Sequence, residues 1–180
     1  MLINYYNYFS PATEETTMPT SELIKCHCLS TEQEKFVHRN NIRERVGVYA
    51  VIIDQNEILL TPLSNGLHFF PGGGKEPWET FEQAVKREVF EECGLDVKLI
   101  RSLSPTENFI IDFDGQAYHL TSIYFLASVS TRELPDTSKT REFCERQPVW
   151  VSLVDFDQSL LPKDQDKFMA VIFEALSLFP

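Results

Sequence analysis

Three glutamates on one predicted helix are placed to hold a metal ion. On a helical wheel at roughly 100° per residue, Glu88 and Glu92 fall within a stripe of apolar residues, and Glu91 lies at its edge. The stripe consists of Phe81, Ala84, Val85 and Val89. Acidic residues on a helix usually form a solvated face, but an apolar stripe that leads into them argues against that interpretation. Carboxylates held this close repel one another, which raises their pKa values or requires a cation.

Oxygen ligands of this kind favour Mg²⁺, with Mn²⁺ as a substitute, over zinc. Mg²⁺ commonly keeps several waters and takes its remaining ligands from substrate phosphates. Glycines at positions 72–74 precede the helix, and their amides can face phosphate. Their carbonyls can add a metal ligand, for which Gly72 is the candidate. The pattern predicts a site that binds a pyrophosphate, offsets its charge and lowers the pKa of an attacking water.

Glu79 and Arg87 are predicted to support this site rather than to bind the metal. Glu79 stands at the entry to the helix, where the helix dipole favours an anion. Arg87 lies two turns further on and can reach back to anchor the glycine loop. The alternative for both residues is a plain surface ion pair.

Residues 73–95 resemble the sequence box of the Nudix hydrolase family. That box reads G-x₅-E-x₇-R-E-U-x-E-E-x-G-U, where U is a bulky aliphatic residue. The chain carries every required residue type, at Gly73, Glu79, Arg87, Glu88, Val89, Glu91, Glu92, Gly94 and Leu95. The resemblance implies an enzyme that splits a nucleoside diphosphate linked to another moiety by water attack on phosphorus. It makes Glu88 and Glu92 the main metal ligands, and Glu91 a further ligand or part of the base system. It also implies that Arg87 and Glu79 hold the loop.

Substrate contacts are less specific in the sequence, and the usual markers of particular Nudix branches are mostly missing. Trp78 stands where many family members have glycine, and its ring can stack on a base or narrow the access to the site. Residues 107–109 and 118–119 lie on predicted paired strands where a base or ribose could be bound; the alternative is a hairpin with one buried face. The candidate substrate contacts are Trp78, Glu107, Phe109, Tyr118 and Arg45.

The remaining pattern predicts an α+β fold, an α/β/α sandwich with a mixed β-sheet between helices. Apolar runs bounded by turn signals predict strands at residues 46–53, 58–61, 67–70, 97–103, 108–113, 118–129 and 148–153. Thr80 and Gln83 make a capping box and Gly94 suits a helix end, so the glutamate-bearing helix is predicted over residues 81–93. Apolar residues at helical spacing between Phe168 and Phe179 predict a closing helix. The predicted domain spans residues 41–180, after a partly flexible tail of residues 1–40 in which residues 31–41 are interpreted as a short helix.

The amino-acid composition limits the kinds of molecule that this protein is expected to bind. A formal net charge of −11 opposes binding to nucleic acid, whose affinity depends on Lys and Arg neutralising phosphates. We therefore expect a small nucleotide substrate, attracted largely by bound divalent cations. No apolar run approaches the roughly 20 residues that cross a bilayer, and the first residues do not resemble a secretory signal, so a cytoplasmic protein without membrane contact is expected. The oligomeric state stays open between a monomer and a homodimer.

Several alternatives remain at this point. A Nudix-like nucleotide sensor without catalysis is the main one, although such domains can dispense with the metal-binding glutamates that this chain retains. A prenyl diphosphate isomerase would need a cysteine and a glutamate pair that the sequence does not place. Glu142 and Glu145 can supply a base from a charged loop or can be solvated loop charges. Cys26, His27, Cys28 and His38 do not have usual zinc-ligand spacing, so reduced structural thiols are expected instead.

Overall fold

The computed structural model describes residues 22–134, 147–154 and 156–178. These residues form ten strands and two α-helices. The elements are β1 (Leu23–Cys28), β2 (Gln33–His38), β3 (Ile42–Asp54), β4 (Glu57–Pro62), β5 (His68–Phe69), β6 (Gly72–Gly74), α1 (Phe81–Cys93), β7 (Val97–Ser102), β8 (Thr106–Ile111), β9 (Ala117–Val129), β10 (Val149–Ser152) and α2 (Gln165–Ser177). Within this part of the chain, no helix has the length and apolar character needed to cross a lipid bilayer.

The sheet is built around two long strands, β3 and β9, which run parallel to each other. Its main strand order is β10-β4-β3-β9-β8-β1-β2, while β5 pairs with β4, β6 with β3 and β7 with β9. Most of the other pairings are antiparallel, so the sheet is mixed, as predicted. The long β3–β9 pairing fixes the positions of the shorter strands on both sides.

Each helix packs against a different face of this sheet. Along β3, Val48, Ala50 and Ile52 pack with α1, whereas Val51 packs with α2. Side chains alternate between the two faces of a strand, and both faces here are apolar because both are covered. Fully burying one such aliphatic side chain stabilises the fold by about 1.5–3 kcal/mol. The predicted α/β/α sandwich is confirmed.

Helix α1 begins and ends where the sequence predicted. The Thr80 side chain accepts a hydrogen bond from the Gln83 backbone N–H, and the Gln83 side chain accepts one from the Thr80 N–H. Gly94 ends the helix with a left-handed φ of 66°, which glycine adopts without steric cost. The buried side of the helix is formed by Ala84, Val85, Val89 and Cys93.

The region before β3 differs from the prediction. The predicted helix at residues 31–41 was wrong: β2 is a strand that pairs antiparallel with β1, and Arg39–Asn41 form only a 3₁₀ turn. β1 in turn lies parallel to β8, with His27 opposite Ile110. Regular structure therefore starts well before residue 46. The rest of the predicted tail, residues 1–21, lies outside the described residues, as do Glu142 and Glu145.

Candidate active site

The glycine strand β6 lies against helix α1 and is bonded to it through its backbone. The Gly72 N–H donates to Glu92 Oε2 at 3.0 Å, and the Gly74 carbonyl accepts from Arg87 Nη2 at 3.1 Å. Bonds from Ala50 N to Pro71 O and from Lys75 N to Val46 O bracket the β3–β6 ladder. Hydrogen-bonded and non-hydrogen-bonded pairs alternate in an antiparallel ladder, so Gly72 and Gly74 turn their polar groups away from β3 and toward α1.

Two glycines of β6 make close contacts with neighbouring residues. Gly72 has a φ of 150°, and a Cβ there would lie 2.1 Å from the Val48 carbonyl oxygen. A Cβ on Gly73 would lie 2.6 Å from Glu88 Oε2. The Glu88 carboxylate thus rests directly on the Gly73 backbone, and any side chain at residue 73 would displace it.

Arg87 is the centre of the polar contacts at this site. Its Nε and Nη2 donate to the two carboxylate oxygens of Glu79 at 2.6 and 2.9 Å, and its Nη1 donates to Glu88 and Glu91 at 2.8 and 3.1 Å. These hydrogen bonds from Arg87 lower the pKa of Glu79 to about 2. The predicted contact between Arg87 and the glycine loop is confirmed by the bond to Gly74. The pair is more than a surface contact, since the Glu79 side chain is only 11% exposed.

The three glutamates of the helix have different environments. The Glu88 side chain is 15% exposed and burial raises its pKa, whereas Glu91 is 57% exposed. Glu88 and Glu91 are directed at Arg87, and Glu92 at the amide of Gly72. In the described parts of the chain, no three acidic, histidine or cysteine side chains converge as a metal site would require. In this arrangement the positive charge of the Arg87 guanidinium offsets the repulsion between the Glu88 and Glu91 carboxylates.

A cavity of about 230 Å³ begins at the glycine strand and extends across the sheet. Gly72, Gly73, Gly74 and Glu92 line one end of it, as predicted for the glycine loop and Glu92. Its walls are largely apolar and aromatic, with Tyr49, Phe69, Phe70 and Phe168 among them. Its polar side chains include Arg45, Asn108, Asp112 and Ser122. An apolar cleft with a few convergent polar groups is the usual form of a small-molecule site.

Arg45 is the predicted substrate contact that the structure places in the cavity. Its Nη1 donates to Asp112 at 2.5 Å, and its guanidinium lies 5.0 Å from the centroid of the Tyr118 ring. A Cβ on Gly74 would lie 3.0 Å from Arg45 Nη2, so the guanidinium stands beside the glycine strand. Tyr118 contacts Arg45 but does not itself line the cavity.

Three other predicted contacts lie away from the cavity. On β8, Asn108 and Ile110 line it, and alternation turns Glu107 and Phe109 to the other face. There Phe109 stacks on His119, with ring centroids 4.6 Å apart. Trp78 is 81% exposed and does not line the cavity either.

Comparison with known proteins assigns the chain to a family. Residues 43–176, which run from within β3 into α2 and include the whole glutamate-bearing site, match the NUDIX domain. The chain belongs to the Nudix family.

Sequence relatives and solved structures agree with this assignment. An RNA pyrophosphohydrolase of Serratia proteamaculans is 43% identical over 70 residues, which cover 38% of this chain and 39% of the relative, so the chain matches about two fifths of that protein's length. A NUDIX hydrolase from Nitrosomonas europaea has a TM-score of 0.60 at 23% identity, over 75% of this chain and 90% of its own. An ADP-ribose pyrophosphatase from Streptococcus suis has a TM-score of 0.54 at 21% identity, over 74% and 90%. These two structures support the fold.

The Nudix match leaves the first two strands outside it. It begins at residue 43, after the β1–β2 hairpin, yet His27 and Leu29 line the same cavity as the Nudix glycines. Sequence reasoning missed this wall. Cys26 and Cys28 are free, buried thiols packed with Ile111 and Ala117, as expected for structural cysteines. The sequence did hold a signal for it. Side chains alternate along a strand, so the expected burial of Cys26 and Cys28 indicates that His27, which lies between them, faces the opposite side of the sheet.

Proposed function

We propose that this Nudix protein hydrolyses a nucleoside diphosphate linked to another moiety, with Mg²⁺ as the cofactor and Mn²⁺ as a substitute. The observation that carries the proposal is the position of Glu88 and Glu92. Both contact the glycine strand, Glu88 through the Gly73 backbone and Glu92 through the Gly72 amide, where the cavity opens. A substrate in this cavity therefore meets the carboxylates and the strand amides together.

The charges of the site fit a divalent cation. Three carboxylates (Glu79, Glu88 and Glu91) bond to the guanidinium of Arg87, and the Glu92 carboxylate lies at the Gly72 amide, which leaves an excess of negative charge. All the available ligand atoms are hard oxygens, the kind that Mg²⁺ and Mn²⁺ prefer. We assign Glu88, Glu91 and Glu92 as ligands, with the Gly72 carbonyl as a fourth. A bound cation would offset phosphate charge and lower the pKa of the attacking water.

The protein's own residues would position the reaction. Arg87 and Glu79 fix the glycine strand against α1, so that the phosphates and carboxylates keep their spacing. Arg45 would donate hydrogen bonds to a phosphate beside Gly74. Glu91 is the most exposed of the three helix glutamates, and besides serving as a further ligand it can accept a proton from the attacking water. The aromatic walls would exclude bulk water from the bound nucleotide.

A small nucleotide is favoured over RNA as substrate. The net charge of −11 opposes a long polyanion. Similar proteins include an RNA pyrophosphohydrolase, an ADP-ribose pyrophosphatase and a UDP-X diphosphatase, so the shared chemistry is cleavage of a phosphoanhydride.

The test is a substrate panel with the full chain. Nucleoside triphosphates, sugar nucleotides, dinucleotides and a 5′-triphosphorylated RNA oligonucleotide are incubated with Mg²⁺, Mn²⁺ or a chelator, and phosphate is measured after phosphatase coupling. We expect turnover of at least one small nucleotide that requires the metal. Turnover of RNA alone would overturn the substrate class, and turnover that survives the chelator would overturn the metal assignment.

A further inference from the structure

Tyr49 carries a hydroxyl group that has no hydrogen-bond partner within the described residues. Its side chain lines the cavity, where the ring meets Phe69 edge-on and stacks on Tyr124, with centroids 4.9 and 5.7 Å away. In the described part of the chain, the buried side-chain polar atoms that lack a hydrogen bond belong to His27 and His68. The Tyr49 oxygen is unpaired but is not among them, so it is exposed to the cavity and can bond a ligand there.

Two glycines of the β3–β6 ladder fix the position of this hydroxyl. A Cβ on Gly72, which pairs with Tyr49, would lie 2.8 Å from ring atom Cδ1. A Cβ on Gly47 would lie 2.8 Å from the hydroxyl oxygen itself. The ring therefore runs along β3 from Gly72 toward Gly47, and its hydroxyl lies over Gly47. Any side chain at residue 47 would take the place of this hydroxyl.

The Arg45 guanidinium lies next to the Tyr49 hydroxyl. Gly47 pairs with Gly74, and a Cβ on Gly74 would lie 3.0 Å from Arg45 Nη2. Paired residues of an antiparallel ladder carry their Cβ atoms on the same face, about 5 Å apart. Both side chains therefore stand on the cavity face of the glycine strand. Glu88, which contacts the intervening Gly73, lies on the opposite face.

These two side chains present hydrogen-bond donors that suit an anion. Asp112 accepts from Arg45 Nη1 at 2.5 Å, which leaves Nη2 beside the glycine strand. Burial raises the pKa of the Tyr49 hydroxyl, so the phenol keeps its proton and remains a donor at neutral pH. Phosphate oxygens accept several hydrogen bonds at once, and bonds to a charged acceptor are the stronger ones.

We propose that Tyr49 binds the same phosphate group as Arg45, by donating its hydroxyl hydrogen bond to a phosphate oxygen over Gly47. The inference rests on the proposed function and divides the diphosphate between the two faces of the glycine strand. One phosphate lies toward the glutamates of α1. The other lies on the cavity face with Arg45 and Tyr49, next to the moiety that the cavity holds.

The experiment compares wild type with Tyr49→Phe in the full chain. The probes are AMP, GMP, CMP and UMP and the four corresponding nucleosides, with binding measured by calorimetry without metal. Tyr49→Phe keeps the ring and removes only an unpaired hydroxyl, so its melting temperature should not fall. We expect about tenfold weaker binding of the best monophosphate and unchanged binding of its nucleoside. For whichever substrate the panel identifies, KM should rise about tenfold with little change in kcat.

Tyr124→Phe is the matched control, since it removes a neighbouring phenol that already has a partner. The Tyr124 and Thr106 hydroxyls are hydrogen-bonded at 2.9 Å, and Tyr124 does not line the cavity. Loss of this bond leaves Thr106 without its partner, so the melting temperature should fall. Binding of the monophosphate should stay as in the wild type.

Three outcomes would overturn the role of Tyr49. They are unchanged monophosphate binding in Tyr49→Phe, an equal loss for monophosphate and nucleoside, and a wild type that binds no monophosphate more tightly than its nucleoside. The proposed function is judged separately by the substrate panel. If the wild type cleaves nothing in the panel but Tyr49→Phe loses affinity for the monophosphate alone, the proposed function fails and the Tyr49 inference stands. If the panel shows turnover and Tyr49→Phe retains both KM and monophosphate affinity, only the Tyr49 inference fails.

Discussion

Glu79 and Arg87 form a two-point ion pair that ties the loop before α1 to the middle of that helix. Glu79 Oε1 lies 2.6 Å from Arg87 Nε, and Glu79 Oε2 lies 2.9 Å from Nη2. The same Nη2 donates to the Gly74 carbonyl, so one guanidinium connects the loop, the glycine strand and the helix. This geometry needs a planar fork of donors, which arginine has and lysine lacks.

This ion pair predicts a pH dependence of stability. Arg87 lowers the pKa of Glu79 from its ordinary value of 4.5 to about 2. A carboxyl group with a lowered pKa in the folded state stabilises the fold above its unfolded pKa, and that contribution is lost as the pH falls from about 4.5 to about 2. The difference in free energy of unfolding between wild type and Glu79→Gln should therefore be constant above about pH 5, roughly half a pH unit above the start of the transition. Below that pH the difference should shrink. Urea unfolding across this range is the measurement, and a difference that grows on acidification would contradict it.

Arg87→Lys should impair activity by misplacing the glycine strand. Lysine keeps the positive charge but cannot bond both oxygens of Glu79 and the Gly74 carbonyl at once. Small misplacements at an active site cost on the order of 10²-fold in rate. We expect a loss of this order in kcat/KM for whichever substrate the panel identifies. Lys86→Arg, on an exposed position of the same helix, is the control and should retain wild-type turnover.

Gly73→Ala tests the contact between β6 and Glu88. The new Cβ would lie 2.6 Å from Glu88 Oε2, so the carboxylate must move. Because Glu88 is an assigned metal ligand, we expect a large fall in metal-dependent turnover and weaker activation by Mg²⁺. Gly115→Ala is the matched control: its φ of 80° makes alanine strained, by about 1 kcal/mol, yet no atom lies within 4 Å of the new Cβ. Equal activity in the two variants would show that the position of Glu88 does not matter.

How much of this site the sequence could predict depends on the kind of signal. Helix α1 was predicted at its full length because Thr80, Gln83 and Gly94 mark its ends by local chemistry. On β8 the candidate contacts Glu107 and Phe109 lie on the face turned away from the cavity and Asn108 lines it, because side chains alternate along a strand and the sequence alone does not say which face is covered. The β1–β2 hairpin was missed because β2 is an exposed, charged edge strand whose pairing is settled by tertiary contacts.

Arg45 should contribute to substrate affinity rather than to the metal site. It lines the cavity beside Gly74 and is paired with Asp112, so its charge is already fixed in place before a phosphate binds. For Arg45→Gln we expect KM to rise about tenfold with little change in kcat, as loss of uniform substrate binding requires. Arg101→Gln, on an exposed position of β7, should leave both parameters unchanged. A fall in kcat with unchanged KM would assign Arg45 to the chemical step instead.

Residues 1–20 should be dispensable for catalysis, because the sequence places no candidate ligand or base there. The deletion keeps the whole β1–β2 hairpin, including His27, and we expect kcat/KM to stay within about twofold of wild type. Circular dichroism and steady-state kinetics on the shortened chain make the comparison. If the shortened protein folds but has no turnover, this segment belongs to the active site.

Glu92→Gln tests metal ligation most directly, because it keeps the shape of the side chain and removes its charge. The amide oxygen of glutamine can still accept from the Gly72 N–H, now 3.0 Å from Glu92 Oε2, so packing against β6 is retained. Loss of one strong ligand should lower turnover on the order of 10²-fold or more. Folding should change little and can improve, since one of several mutually repelling carboxylates is gone.

The measurement is a titration of activity with Mg²⁺ and Mn²⁺ in wild type and variant, with a chelator as the zero point. Wild-type activity should require the added cation, and the variant should need more of it to reach a lower maximum. Glu82→Gln, an exposed residue in the first turn of the same helix, is the control and should titrate as the wild type does. Full activity of Glu92→Gln against every nucleotide that the wild type cleaves would show that these carboxylates do not hold the metal, and the proposed function would fall with them.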